Sequence, residues 1–355
     1  MNSGIHWAKV IFKRSLLAFL MSTLLAILLI QIQASHLPAL AEEPKPEGWA
    51  VIIGVTEYQC PLCIFDEEWN VYPVGVKHPD DGARDLAVQL SPIIGKDHIK
   101  LLLNREATTV AIYYAIEWVA ERAGVDDTVL FYFCGHSAPK NLGTYDNFIS
   151  DWQLAEWLDE LRSQSVVVIL DTCYAGSFSN ELGQNGRVVL MGCQPHESSL
   201  EDRELGYGVF TYYILQAFSN FDAADTNRNY ELSAKEIFDY AKPKTTEEIV
   251  APFANLQAYS RGNVQHPVLY IPPYHFGEIN LFMNIIFHTD ANFPSDAAVL
   301  TVDGKSYFLG DLPASFTWLS GTAHRFDIPL QVSTEEGTRL VFTSWNDGDK
   351  SVSRT

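Results

Sequence analysis

Residues 166–179, VVVILDTCYAGSFS, decide the fold. Five consecutive apolar residues, four of them β-branched, read as a buried strand that halts at Asp171-Thr172-Cys173. The Ala175-Gly176 pair that follows predicts a sharp turn, which presents a thiol at the C-terminal edge of a sheet, where open α/β folds build their sites. Taken alone, Cys173 reads equally well as a buried structural thiol, because free cysteine is among the most buried residue types. A partner side chain is needed to choose between the two.

Outward from this stretch the same pattern repeats. Upstream, Asp126-Asp127 precede the apolar run 128–133, which ends in Cys134-Gly135-His136-Ser137. Further back, 49–55 and 99–103 read as strands, and helical spacing of apolar residues covers 82–90, 108–123 and 151–162. Downstream, 187–193 reads as a strand and the stretch from Gly208 to Phe218 as a helix. Short apolar strands alternating with amphipathic helices predict an α/β fold whose mostly parallel sheet carries helices on both faces. His136 and Cys173 each follow a buried strand, so neighbouring strands roughly 5 Å apart would set them face to face at one sheet edge. An imidazole beside a thiol activates it as general base or as the cation of an ion pair, so the joint pattern favours a catalytic dyad. The other histidines, such as His98, His288 and His324, read as solvated or satisfied in the core.

With these motifs the sequence resembles the caspase-like cysteine peptidases, the clan of caspases, metacaspases, legumain and gingipains, and within it the C14 peptidases. The likeness rests on Phe131-Tyr-Phe-Cys-Gly135-His136 and Asp171-Thr-Cys173-Tyr-Ala-Gly176, with the Ala50-Val-Ile-Ile-Gly54 strand, the helix from Asp81 to Leu90 and the helix start Gly208-Val-Phe-Thr211 in support, over residues 49–245. It implies a caspase-like fold, protein or peptide substrates, His136 as general acid/base and Cys173 as a nucleophile that forms a thioester. It implies, too, an oxyanion hole of the main-chain N–H groups of Cys173 and Ser137. Ser137 stands where the family usually has Gly, and a Gly-only backbone conformation would not survive that change. Asp171, by the same likeness, points into the pocket for the residue before the cut bond, with Asp80 or Asp81 as a second carboxylate, which implies cleavage after Arg or Lys. Asp171 as a mere cap of its own turn is the structural alternative. A silent caspase-like adhesion module and a transpeptidase using the same dyad are the functional ones.

A second constellation runs from Asp225 to Glu236. Side-chain oxygens of Asp225, Asn227, Asn229 and Glu236, the main-chain carbonyl of Glu231, and Ser233 fall at the spacing of an EF-hand loop between two helices, and predict a calcium site. Position 6, normally Gly at the sharp bend, is Tyr230, so the bend is strained or the loop differs. The alternative is a polar turn with a helix N-cap at Ser233. No organic cofactor is needed by the dyad. From residue 272 the texture turns to alternating apolar and polar residues with turn signals at Asp303-Gly304 and Asn346-Asp347-Gly348, which predicts a small β-sandwich-like module over 272–355 after a peptidase domain over 42–271.

Composition bounds the rest. Lys9, Lys13 and Arg14, an apolar run over 16–30 and Ala39-Leu40-Ala41 have the order of a secretory signal, so 1–41 are excluded from the fold. An uncleaved anchor is the alternative, and only then would the membrane be a partner. Without those residues the net charge moves from −20 to −23, a surface that repels nucleic acid and suits cationic substrates or calcium. Five cysteines are too few for a disulfide framework, and an odd count leaves one unpaired within the chain. Cys60 and Cys63 read as a local bridge or two free thiols, since no second CxxC completes a four-ligand metal site.

Overall fold

The computed structural model describes residues 46–59, 79–202, 205–253, 265–272, 279–287, 298–320, 322–333, 339–342, 345 and 350–355. The leader, Cys60, Cys63, His288 and the 346–348 turn lie outside these residues. Lys45–Thr355 hold together as one compact unit.

The first strand, β1 (Gly48–Gly54), is buried along its whole length, as its apolar sequence requires. Helix α1 (Pro79–Ile94) starts with Asp80 and Asp81 in its first turn, where the helix dipole favours negative charge. Then come β2 (Ile99–Leu103), α2 (Thr109–Ala120), capped by the Thr108 side chain, and β3 (Thr128–Cys134). Three short strands, β4 (Ser137–Ala138), β5 (Asn141–Gly143) and β6 (Phe148–Ser150), precede α3 (Asp151–Leu158), whose N-terminus carries a Ser150/Gln153 capping box. The opening stretch is β7 (Ser165–Asp171), followed by β8 (Val188–Met191). A small hairpin of β9 (Glu201–Asp202) and β10 (Tyr207–Gly208) leads into α4 (Val209–Ser219). Next are β11 (Glu231–Ser233), α5 (Ala234–Phe253) and β12 (Val268–Tyr270).

The central sheet has the order β12-β8-β7-β3-β1-β2. All its pairings are parallel except β12 with β8, an antiparallel edge that the alternation of elements did not predict. Side chains alternate across the pleat. Trp49, Val51, Ile53, Phe131, Phe133, Val168 and Leu170 pack with Ile112, Ile116 and Leu154 of α2 and α3. Ala50, Ile52, Leu130, Tyr132, Val167 and Ile169 pack with Leu86, Phe210 and Ile237 of α1, α4 and α5. β1 leads on to β2 on one side and β3 leads on to β7 on the other, so the topological switch point lies between the ends of β1 and β3, next to the end of β7.

The C-terminal all-β region comprises β13 (Asn280–Phe287), β14 (Ala298–Val302), β15 (Lys305–Phe308), β16 (Ala314–Leu319) and β17 (Phe326–Asp327), among others. β13 pairs on one edge with β16 and on the other with β11 of the 225–236 loop. Leu281 joins the second core, whereas Leu300, Val302 and Phe326 make a small core of their own.

Candidate active site

β3 and β7 are adjacent and parallel, with Cys134 paired to Asp171, so His136 and Cys173 each stand two residues beyond a matched pair at one sheet edge. Short hydrogen bonds stitch the two loops together. Thr172 Oγ1 donates to Gly135 O (2.6 Å) and lies 2.8 Å from Ser137 Oγ, which donates to the carbonyl of Cys173. Ser137 is not among the non-glycine residues of positive φ, so the missing Gly leaves no backbone conflict, and its hydroxyl braces the nucleophile loop instead. Positive φ falls on Tyr174 (φ 55°, ψ 19°), the residue after the thiol, a bend that an L side chain adopts at a cost of about 1 kcal/mol. Tyr174 N–H donates to Glu197 O at 2.8 Å, which holds that bend.

His136 is half-buried, and burial pulls its pKa down from 6.5 to about 4. Its main-chain N–H donates to Tyr58 Oη (2.7 Å), and that hydroxyl donates to Val55 O (2.9 Å) at the end of β1. The two rings lie 5.2 Å apart. A Cβ on Gly135 would come within 2.8 Å of the same hydroxyl, which is why the residue before the histidine has no side chain. Cys173, also half-buried, places Sγ 3.8 Å from Ser199 O. Burial is the largest influence on its thiol and raises the pKa, and the charges of Asp171 and Glu201 raise it further. With the thiol pushed up and the imidazole at the same sheet edge pushed down, both are neutral in the free chain, so the imidazole is set up as a base and not as half of an ion pair.

Asp171 is 3% exposed. Its carboxylate accepts from Ser199 Oγ and from Thr211 N (2.9 Å) and Oγ1 (2.6 Å) at the start of α4. Burial raises its pKa and these donors work against the rise. It therefore braces the N-terminus of α4 and does not cap its own turn. Asp80 accepts from Thr56 Oγ1 and from Asn104 Nδ2 (3.1 Å), which ties it to the loops after β1 and β2, while Asp81 is exposed.

Sequence reasoning missed the wall opposite. Gln265, fully buried, receives Leu200 N–H (3.0 Å) and donates to Gly192 O (2.8 Å) and Ser199 Oγ (3.0 Å). Beside it, His266 Nδ1 meets Glu197 Oε1 at 2.7 Å. No local pattern marks Gln265, Ser199 or Tyr58, because their partners are distant in sequence. His98 stacks on Trp49 (4.0 Å), and His324 stacks on Trp318 (4.1 Å) and bonds Asp303, so neither joins the site.

In the 225–236 loop Asp225 accepts from Asn229 N (3.2 Å) and Tyr230 N (2.9 Å), Asn227 from Asn229 N (2.9 Å), and Asn229 from Glu231 N (2.9 Å). Tyr230 keeps the sharp bend at φ 64°. Glu236 Oε1 crosses the loop to Thr226 N (3.0 Å), while Oε2 meets Ser233 N (3.1 Å) and Oγ (2.9 Å), with Glu236 N returning to Ser233 Oγ (3.2 Å). The N-cap at Ser233 is thus present. Among the described residues no group of three or more His, Cys, Asp or Glu side chains could hold a metal ion. The Glu231 carboxylate accepts from Ser320 Oγ (2.8 Å) in the C-terminal region, which leaves its main-chain carbonyl as the group an EF-hand would use.

A family model for the peptidase C13 family matches residues 112–265. That stretch spans His136 and Cys173 and is caspase-like. The motifs resemble the C14 peptidases, whereas the family model that matches is that of C13, a different family of the caspase-like clan. It supports a cysteine peptidase or transamidase acting on protein. No curated protein sequence matches the chain. Among solved structures the chain is similar to a Geobacter sulfurreducens protein at 15% identity, covering 64% of this chain and 94% of that one, with a TM-score of 0.44.

Proposed function

We propose that this chain is a secreted or surface-attached cysteine endopeptidase that cuts after Arg or Lys through a thioester on Cys173. The observation that carries it is the stitched pair of strand ends, Gly135 to Ser137 against Thr172-Cys173, beside the switch point. Neutral His136 takes the Sγ proton as sulfur bonds to the substrate carbonyl carbon. The carbonyl oxygen becomes an oxyanion, faced by the main-chain N–H groups of Cys173 and Ser137. The C–N bond then breaks and the amine leaves with the proton from His136. Water, losing a proton to His136, attacks the thioester and returns the thiol. Asp171, with three donors around a buried carboxylate, supplies negative charge near the thiol and so favours a cationic side chain before the cut bond.

The 225–236 loop is read as a weak calcium site. Asp225, Asn227, Asn229, Glu236, the Glu231 carbonyl and Ser233 offer the hard oxygens calcium takes, and with only two carboxylates the affinity should be modest. Resolution of the same thioester by an amine is the second reading, favoured by a family that includes transamidases.

One assay tests both. Parent and Cys173→Ala proteins are incubated with internally quenched Arg, Lys and Asp peptides, with and without calcium and an amine acceptor. Cleavage after Arg and Lys, abolished in Cys173→Ala, is expected. Equal turnover of Asp peptides would reject the specificity, and ligation in place of cleavage would select the transpeptidase.

A further inference from the structure

One acidic residue beside the thiol belongs neither to the dyad nor to the Asp171 network. Glu201, in β9, pairs antiparallel with Gly208 of β10. Gly208 lies directly on Asp171, where a Cβ would come within 2.4 Å of Oδ2. The residue opposite Gly208 therefore stands over the buried carboxylate. Its backbone is held on the preceding residue, with Leu200 N–H on Gln265 Oε1 (3.0 Å) and Leu200 O accepting Val209 N–H (2.9 Å). Although β9 is only half-buried, Glu201 Oε1 is shut off from solvent, so the side chain turns inward. The cross-strand pairing with Gly208 puts it on the site's side, and after burial its charge is a further influence that raises the pKa of Cys173, Cys134 and Tyr58.

Asp171 has committed its oxygens to Ser199 and Thr211. A guanidinium brings five N–H donors and needs more acceptor capacity than that carboxylate has left. We propose that Glu201 is a specificity-determining residue, the second carboxylate of the substrate pocket, which with Asp171 receives the cationic side chain of an Arg or Lys substrate. This rests on the basic-residue reading above and moves the second acid from Asp80 or Asp81 to Glu201. A docked cation also cancels the field of the two carboxylates at Cys173, so that binding of the right side chain eases loss of the thiol proton to His136.

The test compares peptides carrying Arg or its neutral isostere citrulline, in parent, Glu201→Gln and Glu201→Asp proteins, alongside the pH dependence of Cys173 alkylation by iodoacetamide. Glu201→Gln should lose about tenfold or more of the Arg over citrulline preference in kcat/KM, and its alkylation profile should move to lower pH because a charge opposing thiolate formation is gone. Glu201→Asp should keep the parent's alkylation profile. A Glu201→Gln protein with the parent's melting temperature, preference and profile overturns the inference alone. A parent that itself prefers neither peptide overturns both this inference and the basic-residue reading.

Discussion

Tyr58 is the residue on which the imidazole leans. Its hydroxyl receives the main-chain N–H of His136 and its ring lies against the imidazole, so the loop after β1 positions a group carried by β3. Tyr58→Phe keeps the ring and removes the acceptor from a part-buried N–H, a loss of about 1–3 kcal/mol. The expected result is a fall in kcat greater than the change in KM, read by steady-state kinetics; an unchanged kcat would show that the imidazole needs no such brace. The parent's pH profile follows from the shift at His136. A pKa lowered to about 4 leaves the base neutral above that value, so kcat/KM should hold through weak acid and fall only as pH drops towards about 4.

At the scale of elements, α4 and β7 meet through Asp171, whose carboxylate reaches the N–H of Thr211 in the first turn of α4. A helix N-terminus welcomes that charge. Gly208 is required there because any side chain would enter the carboxylate's space. Gly208→Ala should therefore cost about 1–3 kcal/mol from overpacking and depress activity with it. Thermal unfolding and peptide turnover measured together check this, and an Ala variant with the parent's melting temperature would mean that Asp171 moves freely. The 225–236 loop is tied the same way to its surroundings: β11 pairs with β13, so the polar loop and the C-terminal region share a sheet.

That shared sheet sets the behaviour of the whole molecule. Leu232 of the loop is fully buried, and Leu281 of β13 enters the core beneath α1 and α4. At the start of β1, a Cβ on Gly48 would meet Ile94 of α1 at 2.4 Å and Leu319 of β16 at 3.3 Å. A chain ended at residue 271 should thus lose more than an appendage. Its melting temperature should fall and it should bind a hydrophobic dye; a truncated protein that melts with the parent would make the C-terminal region an independent module.

What the sequence by itself determined is five of the six strands of the central sheet, the helices between them, and the position of His136 and Cys173 just past buried strands. Local apolar runs and periodicity carry that information, and the alternation of elements implies a shared sheet edge. The bend at Tyr230 and the N-cap at Ser233 stood only among the alternatives that the local pattern allowed, both depending on neighbours a few residues away. Tertiary structure alone decided the rest. Tyr58 beneath His136, Gln265 behind Ser199, Asp171 on the N-terminus of α4 and Glu201 turned inward over Gly208 each rest on partners well separated along the chain, except where a hairpin brings them close. Nor does any pattern of 2 or 3.6 residues encode which acid a pocket holds. Hydrogen-bond partners and fields act through space, so the nucleophile could be read from one strand, whereas its surroundings required the whole sheet edge.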